Sequence, residues 1–282
     1  MLNISLRYYI IAKEKNNKEN DMQELIEGLN DKQKEAVLCT DGPCLVIAGA
    51  GSGKTKVLTH KIAYLMAEKY VKPWNILAIT FTNKAANEMK ERVEAIVGEA
   101  AKDMWIGTFH SICVRILRKT IDRIGFDTSF LIFDTSDQKT LVKECMKTLK
   151  IDDKLFTDRS VLAEISNAKN EMLEPAAYRT KYAGDFRKEK IGEIYELYQK
   201  RLKDNNAIDF DDIINYTIKI LTENADVLEY YTDKFRYVLV DEYQDTNKAQ
   251  FTLVTILASK YGNITAVGDN DQGIYSFRRS RH

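Results

Sequence analysis

The stretch CLVIAGAGSGKT (44–55) decides the fold. It begins as an apolar run of strand length, and the residues beyond it place Leu58, Ile62, Leu65 and Met66 on one face of a helix. Between strand and helix stand Gly49, Gly51 and Gly53. Without Cβ atoms the backbone there can curl and turn successive N–H groups inward. A strand, a glycine-rich turn and a helix N-terminus make an anion cradle, with the helix dipole behind it. Lys54 and Thr55 stand where an ammonium reaches β- and γ-phosphates and a hydroxyl reaches Mg2+. The expected phosphate-binding set is therefore Ala48, Gly49, Ala50, Gly51, Ser52, Gly53, Lys54 and Thr55, with Mg2+ beside it. Ala48 occupies the position where GxxxxGK[ST] carries its first glycine. A purely structural glycine-rich turn is the alternative at this point.

Outward from the loop, ILAIT (76–80) predicts a second buried strand, followed by a helix with Ala86, Met89, Val93 and Ile96 at helical spacing. MWIG (104–107) predicts a shorter strand, and strand signals return at YVLVD (237–241) and ITAVGD (264–269). Strands alternating with helices predict an α/β fold with a parallel sheet covered on both faces. Between Ile112 and Asn205 helical periods dominate, with Leu141, Cys145 and Leu149 in one segment and Ile191, Ile194, Tyr198 and Leu202 in another. The simplest organisation is an α/β domain at 22–112 and 206–282, interrupted by a helical subdomain at 113–205. Residues 1–21, rich in Lys and Asn near their end, read as a solvated leader.

The second chemical group is acidic. Asp241 ends a β-branched strand, where it can enter a Mg2+ shell, and Glu242 is placed to polarise an attacking water. Alone, such residues are equally good helix N-caps. The cradle upstream favours the catalytic reading of Lys54, Asp241 and Glu242. Gln272, in VGDNDQGIYSFR (267–278), can hydrogen-bond a γ-phosphate or its water, or simply sit in a polar loop.

Composition bounds the partners. The 282 residues are 44% hydrophobic and 30% charged, which supplies a core and excludes a disordered polyelectrolyte. Lys plus Arg total 42, as do Asp plus Glu, so a uniformly basic nucleic-acid wrapper is excluded and any such binding must be local. Cys39, Cys44, Cys113 and Cys145 form no CxxC pair and read as reduced thiols of a cytoplasmic protein. No apolar run reaches the ~18 residues of a membrane span. The opening residues lack the basic n-region and small-residue cleavage site of a signal peptide.

Taken with LNDKQKEAV (29–37), AITFTNKAA (78–86), GTFHS (107–111), IDFDD (208–212) and DEYQDTN (241–247), these blocks resemble the UvrD/Rep/PcrA-like superfamily-1 DNA helicases, from about Leu29 to Arg278. The resemblance implies a RecA-like P-loop NTPase domain with an inserted helical subdomain. It implies that Gln33 reads the adenine edge, and that single-stranded DNA is gripped by Thr80, Phe81, Thr82, Asn83, Thr108, Phe109 and His110. Tyr275 and Phe277 are implied as base-stacking partners, and Arg278 as the link from DNA to nucleotide. Stacking suits a motor that ignores sequence, because every base has a π-face. Without the family, Phe81 and Phe109 are as readily core residues. The basic clusters RILRKTIDR (115–123) and FRKEK (186–190) are either solvated faces or contacts to duplex DNA.

The implied activity is ATP-dependent 3′→5′ translocation and unwinding at single-strand/double-strand junctions, in repair or replication. The family continues SFRGA into a second RecA-like domain that supplies arginine fingers, whereas this sequence has Arg279 at the glycine and ends at SFRRSRH. Such a finger is worth ~10³–10⁵ in rate. The expectation is thus a chain that hydrolyses ATP poorly and does not unwind DNA alone; a non-motor nucleotide- and DNA-binding module stays open as the alternative.

Overall fold

The computed structural model describes residues 26–49 and 51–269. In chain order the first half forms α1 (Asp31–Leu38), β1 (Cys44–Ile47), α2 (Lys54–Ala67), β2 (Ile76–Thr80), α3 (Asn83–Val97), β3 (Trp105–Thr108), α4 (Phe109–Thr120), β4 (Leu131–Ile132) and α5 (Thr135–Thr148). Then come α6 (Asp158–Asn170), α7 (Pro175–Lys181), α8 (Phe186–Asp204), β5 (Ala207–Ile208), α9 (Phe210–Glu223), α10 (Ala225–Lys234), β6 (Tyr237–Val240), α11 (Lys248–Leu257) and β7 (Ile264–Gly268).

Two compact units result. The first takes the described residues up to Thr108, Tyr231–Asp245 and those from Leu257 onward. Its five-stranded sheet is wholly parallel, in the order β1-β7-β6-β2-β3. Leu58, Ile62 and Leu65 of α2 and Met89 and Val93 of α3 form a core with Ile76, Ala78, Leu239 and Val267 of the sheet. Those helix residues recur at three- and four-residue steps, so each helix turns one apolar stripe to the strands. Ile96, at the same spacing, lies beyond that stripe and is exposed. The expectation of strands covered on both faces fails at β1. It is an edge strand with alternating exposure, and Leu45 and Ile47 are 61% and 49% exposed.

The second unit takes Phe109–Tyr230 and Thr246–Ile256. Its core holds Leu141, Cys145, Ile191, Ile194, Tyr198 and Leu202, as their spacing predicts, with Leu149 packed partly buried against it. A short parallel pair, β4 with β5, ties Leu131 to Ala207. The expected boundaries shift: residues 206–230 fall in the helical unit, because the apolar stripe of α9, with Ile213 and Ile218 buried, packs on α4 and α6. Residues 1–21 lie outside the described residues.

At the heart of this unit sits a charged cluster. The ammonium of Lys169, 1% exposed, meets Asp209 at 2.6 Å and Asp212 at 2.7 Å. The Tyr198 hydroxyl also donates to Asp209, at 3.0 Å. Asp209 and Asp212 form the capping box of α9, so they hold the orphan N–H groups of its first turn as well as the cation. Burial together with the Asp209 charge pushes Asp212 up to about 7. Burial alone would raise Asp209 too, but the adjoining Lys169 holds its carboxyl below the usual range.

Candidate nucleotide site

The loop after β1 is built as its glycines demand. Gly51 and Gly53 take φ of +73° and +84°, a region costly for residues with a Cβ. A Cβ on Gly53 would lie 2.8 Å from the Gln33 amide nitrogen. Ala48 needs no such freedom: its N–H donates to the Gly268 carbonyl at 3.0 Å, prolonging the sheet, which is why alanine serves in place of the first glycine. Ala50 lies outside the described residues.

Gly51, Gly53, Lys54, Thr55, Phe81, Thr82 and Glu242 line a cavity of about 580 Å³, within the range that takes a small ligand. The Lys54 ammonium lies 3.4 Å from Asp269 and 3.8 Å from Glu242, so its charge is presented to this cavity against carboxylates. Burial of the Asp241 carboxyl pushes it above the usual range, assisted by the Glu242 charge and opposed by Lys54 and Thr55. The N–H of Asp241 donates to the Ile79 carbonyl at 3.0 Å, fixing the end of β6 against β2.

Glu242 adopts φ +48°, uncommon for a non-glycine residue and recurrent at functional positions. Its carboxylate is held by Gln244, whose amide nitrogen donates to it at 2.7 Å, while the Gln244 oxygen accepts the Asp269 N–H at 3.0 Å. Gln244 thereby links the acidic pair to the end of β7. Gly268 leaves room for it, since a Cβ there would meet the Gln244 oxygen at 2.9 Å. Sequence reasoning missed Gln244 and Asp269. Both stand inside quoted motifs, but only a shared fold shows that they converge.

Gln33 is doubly engaged: its oxygen accepts the Asn30 N–H at 3.0 Å and its nitrogen donates to the Ser52 carbonyl at 2.9 Å. It braces the cradle, and its second amide N–H and second oxygen lone pair are left for other partners.

The residues expected to grip DNA divide by burial. Thr82 and Asn83 are exposed and Phe81 is half-buried, whereas Thr80 and Thr108 are buried. The Thr80 hydroxyl donates to the Thr82 carbonyl at 3.2 Å. Phe109 is 1% exposed and packs in the core, the second of the two alternatives open for it. His110 stands edge-on to the Phe210 ring, with centroids 6.0 Å apart; burial lowers its pKa, opposed by a hydrogen bond to the Phe210 backbone. Gln272, Tyr275, Phe277 and Arg278 lie outside the described residues. No helix among the described residues is long and apolar enough to cross a membrane.

Comparison with known proteins agrees with this architecture. Residues 29–282 match the family described as the UvrD/REP helicase N-terminal domain. The chain is 57% identical over 255 residues to the ATP-dependent DNA helicase PcrA of Bacillus subtilis, covering 90% of this chain and 34% of that protein. It is 54% identical over 257 residues to the PcrA helicases of Staphylococcus epidermidis and Staphylococcus aureus, covering 91% of this chain and 35% of each. The chain thus spans about a third of the length of these relatives.

Proposed function

Because this chain belongs to the UvrD/REP helicase N-terminal domain family, we propose that it is the ATP-binding part of an ATP-dependent DNA helicase that couples hydrolysis to 3′→5′ movement along single-stranded DNA. The observation that carries this reading is the Lys54 ammonium, aimed with bare Gly51 and Gly53 into a cavity bounded by Glu242 and Asp269.

In this reading the loop amides and Lys54 bind the β- and γ-phosphates, and the Lys54 ion pairs with Asp269 and Glu242 give way to phosphate oxygens. Thr55 and Asp241 would hold Mg2+, whose chemistry when bound is to neutralise charge on those oxygens. Their fit to the ion rests on the donor set, the Thr55 hydroxyl in the cavity wall and the carboxylate that follows the last strand residue Val240, two oxygen groups of the type Mg2+ prefers. Glu242 orients the attacking water and accepts its proton, with its carboxylate steadied by Gln244. Gln272 senses the γ-phosphate. Thr82 and Asn83 present polar groups to the DNA backbone, and Tyr275, Phe277 and Arg278 complete the strand contact. Single-stranded DNA and its junctions with duplex are the substrates, and repair or replication proteins the partners.

The test measures binding of a fluorescent ATP analogue and phosphate release, with and without a single-stranded oligonucleotide. The 282-residue chain is expected to bind nucleotide, to hydrolyse it slowly and to displace no strand. Lys54→Ala should abolish binding, whereas Glu242→Gln should bind and not turn over. Nucleotide binding undiminished in Lys54→Ala would end the assignment.

A further inference from the structure

The four cysteines fall into two pairs of different character. Cys113 and Cys145 are fully buried, and burial pushes their thiols up to about 12 and about 11. Buried thiols of that kind are inert. Cys39 and Cys44 are half-buried free thiols, within reach of small reagents. Neither of them lines the nucleotide cavity.

The fold brings these two to one place. Cys39 is the C-cap of α1, and its N–H donates to the Glu35 carbonyl at 3.1 Å. Cys44 opens β1. The residues between them turn the chain: Gly42 takes φ +78°, and its N–H donates to the Asn263 side-chain oxygen at 3.0 Å. Side chains along a strand alternate between its faces, so Cys44 shares a face with Val46. Val46 packs against the cluster that holds Ala36 and Val37, in the last turn of α1 just before Cys39.

A buried cation marks the same spot. Lys61 of α2 is 1% exposed, and its ammonium donates to the carbonyls of Ala36, at 3.2 Å, and of Cys39. Both carbonyls stand at the end of α1, where a helix leaves its acceptors without internal partners. Burial lowers the Lys61 pKa, and the Cys44 and Cys39 sulfurs oppose that fall. Burial raises the Cys44 thiol, the Lys61 charge pulls it down, and a hydrogen bond with the Cys39 side chain adds to the rise. The two side chains therefore act on each other directly, beside one ammonium.

We propose that Cys39 and Cys44 form a redox-active dithiol, which a low-molecular-weight disulfide such as oxidised glutathione converts reversibly into an intramolecular disulfide closing the turn between α1 and β1. In the first step the Cys39 sulfur, its proton lost to water, attacks one sulfur of the reagent. A protein–reagent S–S bond forms, the reagent's own S–S bond breaks, and one thiolate leaves. The deprotonated Cys44 sulfur then attacks that of Cys39, forming the internal bond and expelling the second thiolate. The protein gives up two electrons and two protons, and the reagent ends as two thiols. Cys44 is the resolving group, because burial keeps its thiol protonated until Lys61 supports the developing thiolate. The bridge ties the helix that carries Gln33 to the strand that leads into the phosphate loop.

The experiment treats the folded 282-residue chain with oxidised glutathione, alkylates the remaining thiols after unfolding, and weighs the peptide that holds residues 39–44 by mass spectrometry. That peptide should lose two hydrogen atoms and carry neither glutathione nor alkyl groups, while Cys113 and Cys145 are alkylated. Excess dithiothreitol should restore both thiols. Cys44→Ser should trap glutathione on Cys39 as a stable mixed disulfide. Closure in the folded chain should be at least about tenfold faster than in urea, since the fold raises the effective concentration of one thiol at the other. Full alkylation of Cys39 and Cys44 after treatment, or a glutathione on each of them, would overturn the proposal. Equal rates of closure in the folded and unfolded chains would overturn it as well.

Discussion

Gly53 concentrates the cost of the nucleotide loop in one residue. Its φ of +84° penalises any Cβ by ~1–2 kcal/mol. The added methyl also meets the amide of Gln33, which braces Ser52. Gly53→Ala should therefore lower stability in urea unfolding by about that amount, and weaken binding of a fluorescent nucleotide by at least about tenfold. Asp212 gives a residue-scale prediction of a different kind. Its carboxyl ionises near 3.8 in an unfolded chain and at about 7 in the folded unit. Between those values the folded state holds one proton more than the unfolded one, so raising the pH withdraws stability. Asp212→Asn carries no such proton. Its melting temperature relative to wild type should climb across that window and level off above it. A difference that stays flat from pH 4 to about 8 would refute the assignment. Neither Gln244 nor the Lys169 cluster was legible in the sequence, for a common reason. A glutamine inside an acidic motif, or a lysine and two aspartates forty residues apart, reads as solvated polarity until the chain folds them onto one another.

Among elements, the strands and the helices on them were well announced, because apolar runs and three- and four-residue periods encode burial directly. What those patterns do not encode is order across the sheet. CLVI and ILAIT look alike as sequences, yet the first lies at the edge and the second is buried throughout. The stripe of α9 was equally silent about its partner: Ile213 and Ile218 would suit a sheet as well as the helices they pack on. Helix starts are more explicit. Thr82 caps α3 by accepting the Ala85 N–H at 3.1 Å. Thr82→Ala should cost about 1 kcal/mol in chemical denaturation. If the proposed strand contact is right, it should also weaken binding of a single-stranded oligonucleotide. Equal affinity for the oligonucleotide would remove Thr82 from the interface and leave its capping role intact.

At the scale of the whole molecule, each of the two units has a core of its own. Lys169→Met leaves Asp209 and Asp212 buried without their counter-charge, a loss of ~3–5 kcal/mol. Calorimetry should show one transition moving down while the other, the one raised by ATP, stays in place. A single transition moving as a whole would show that the units unfold together. The insertion was visible in outline from the change of periodicity. Its edges were not, since the unit borrows residues on both sides of the stretch where helical periods dominate.

The pairing of β1 with β7 sets Cys44 beside Thr265, about 220 positions later in the chain. During synthesis at roughly 5–20 residues per second, the strand leading into the phosphate loop leaves the ribosome some 10–40 s before its neighbour exists. Through that interval its apolar side chains, Leu45 and Ile47 among them, lack the pairing that later holds the strand, and the nascent chain is open to chaperone capture there.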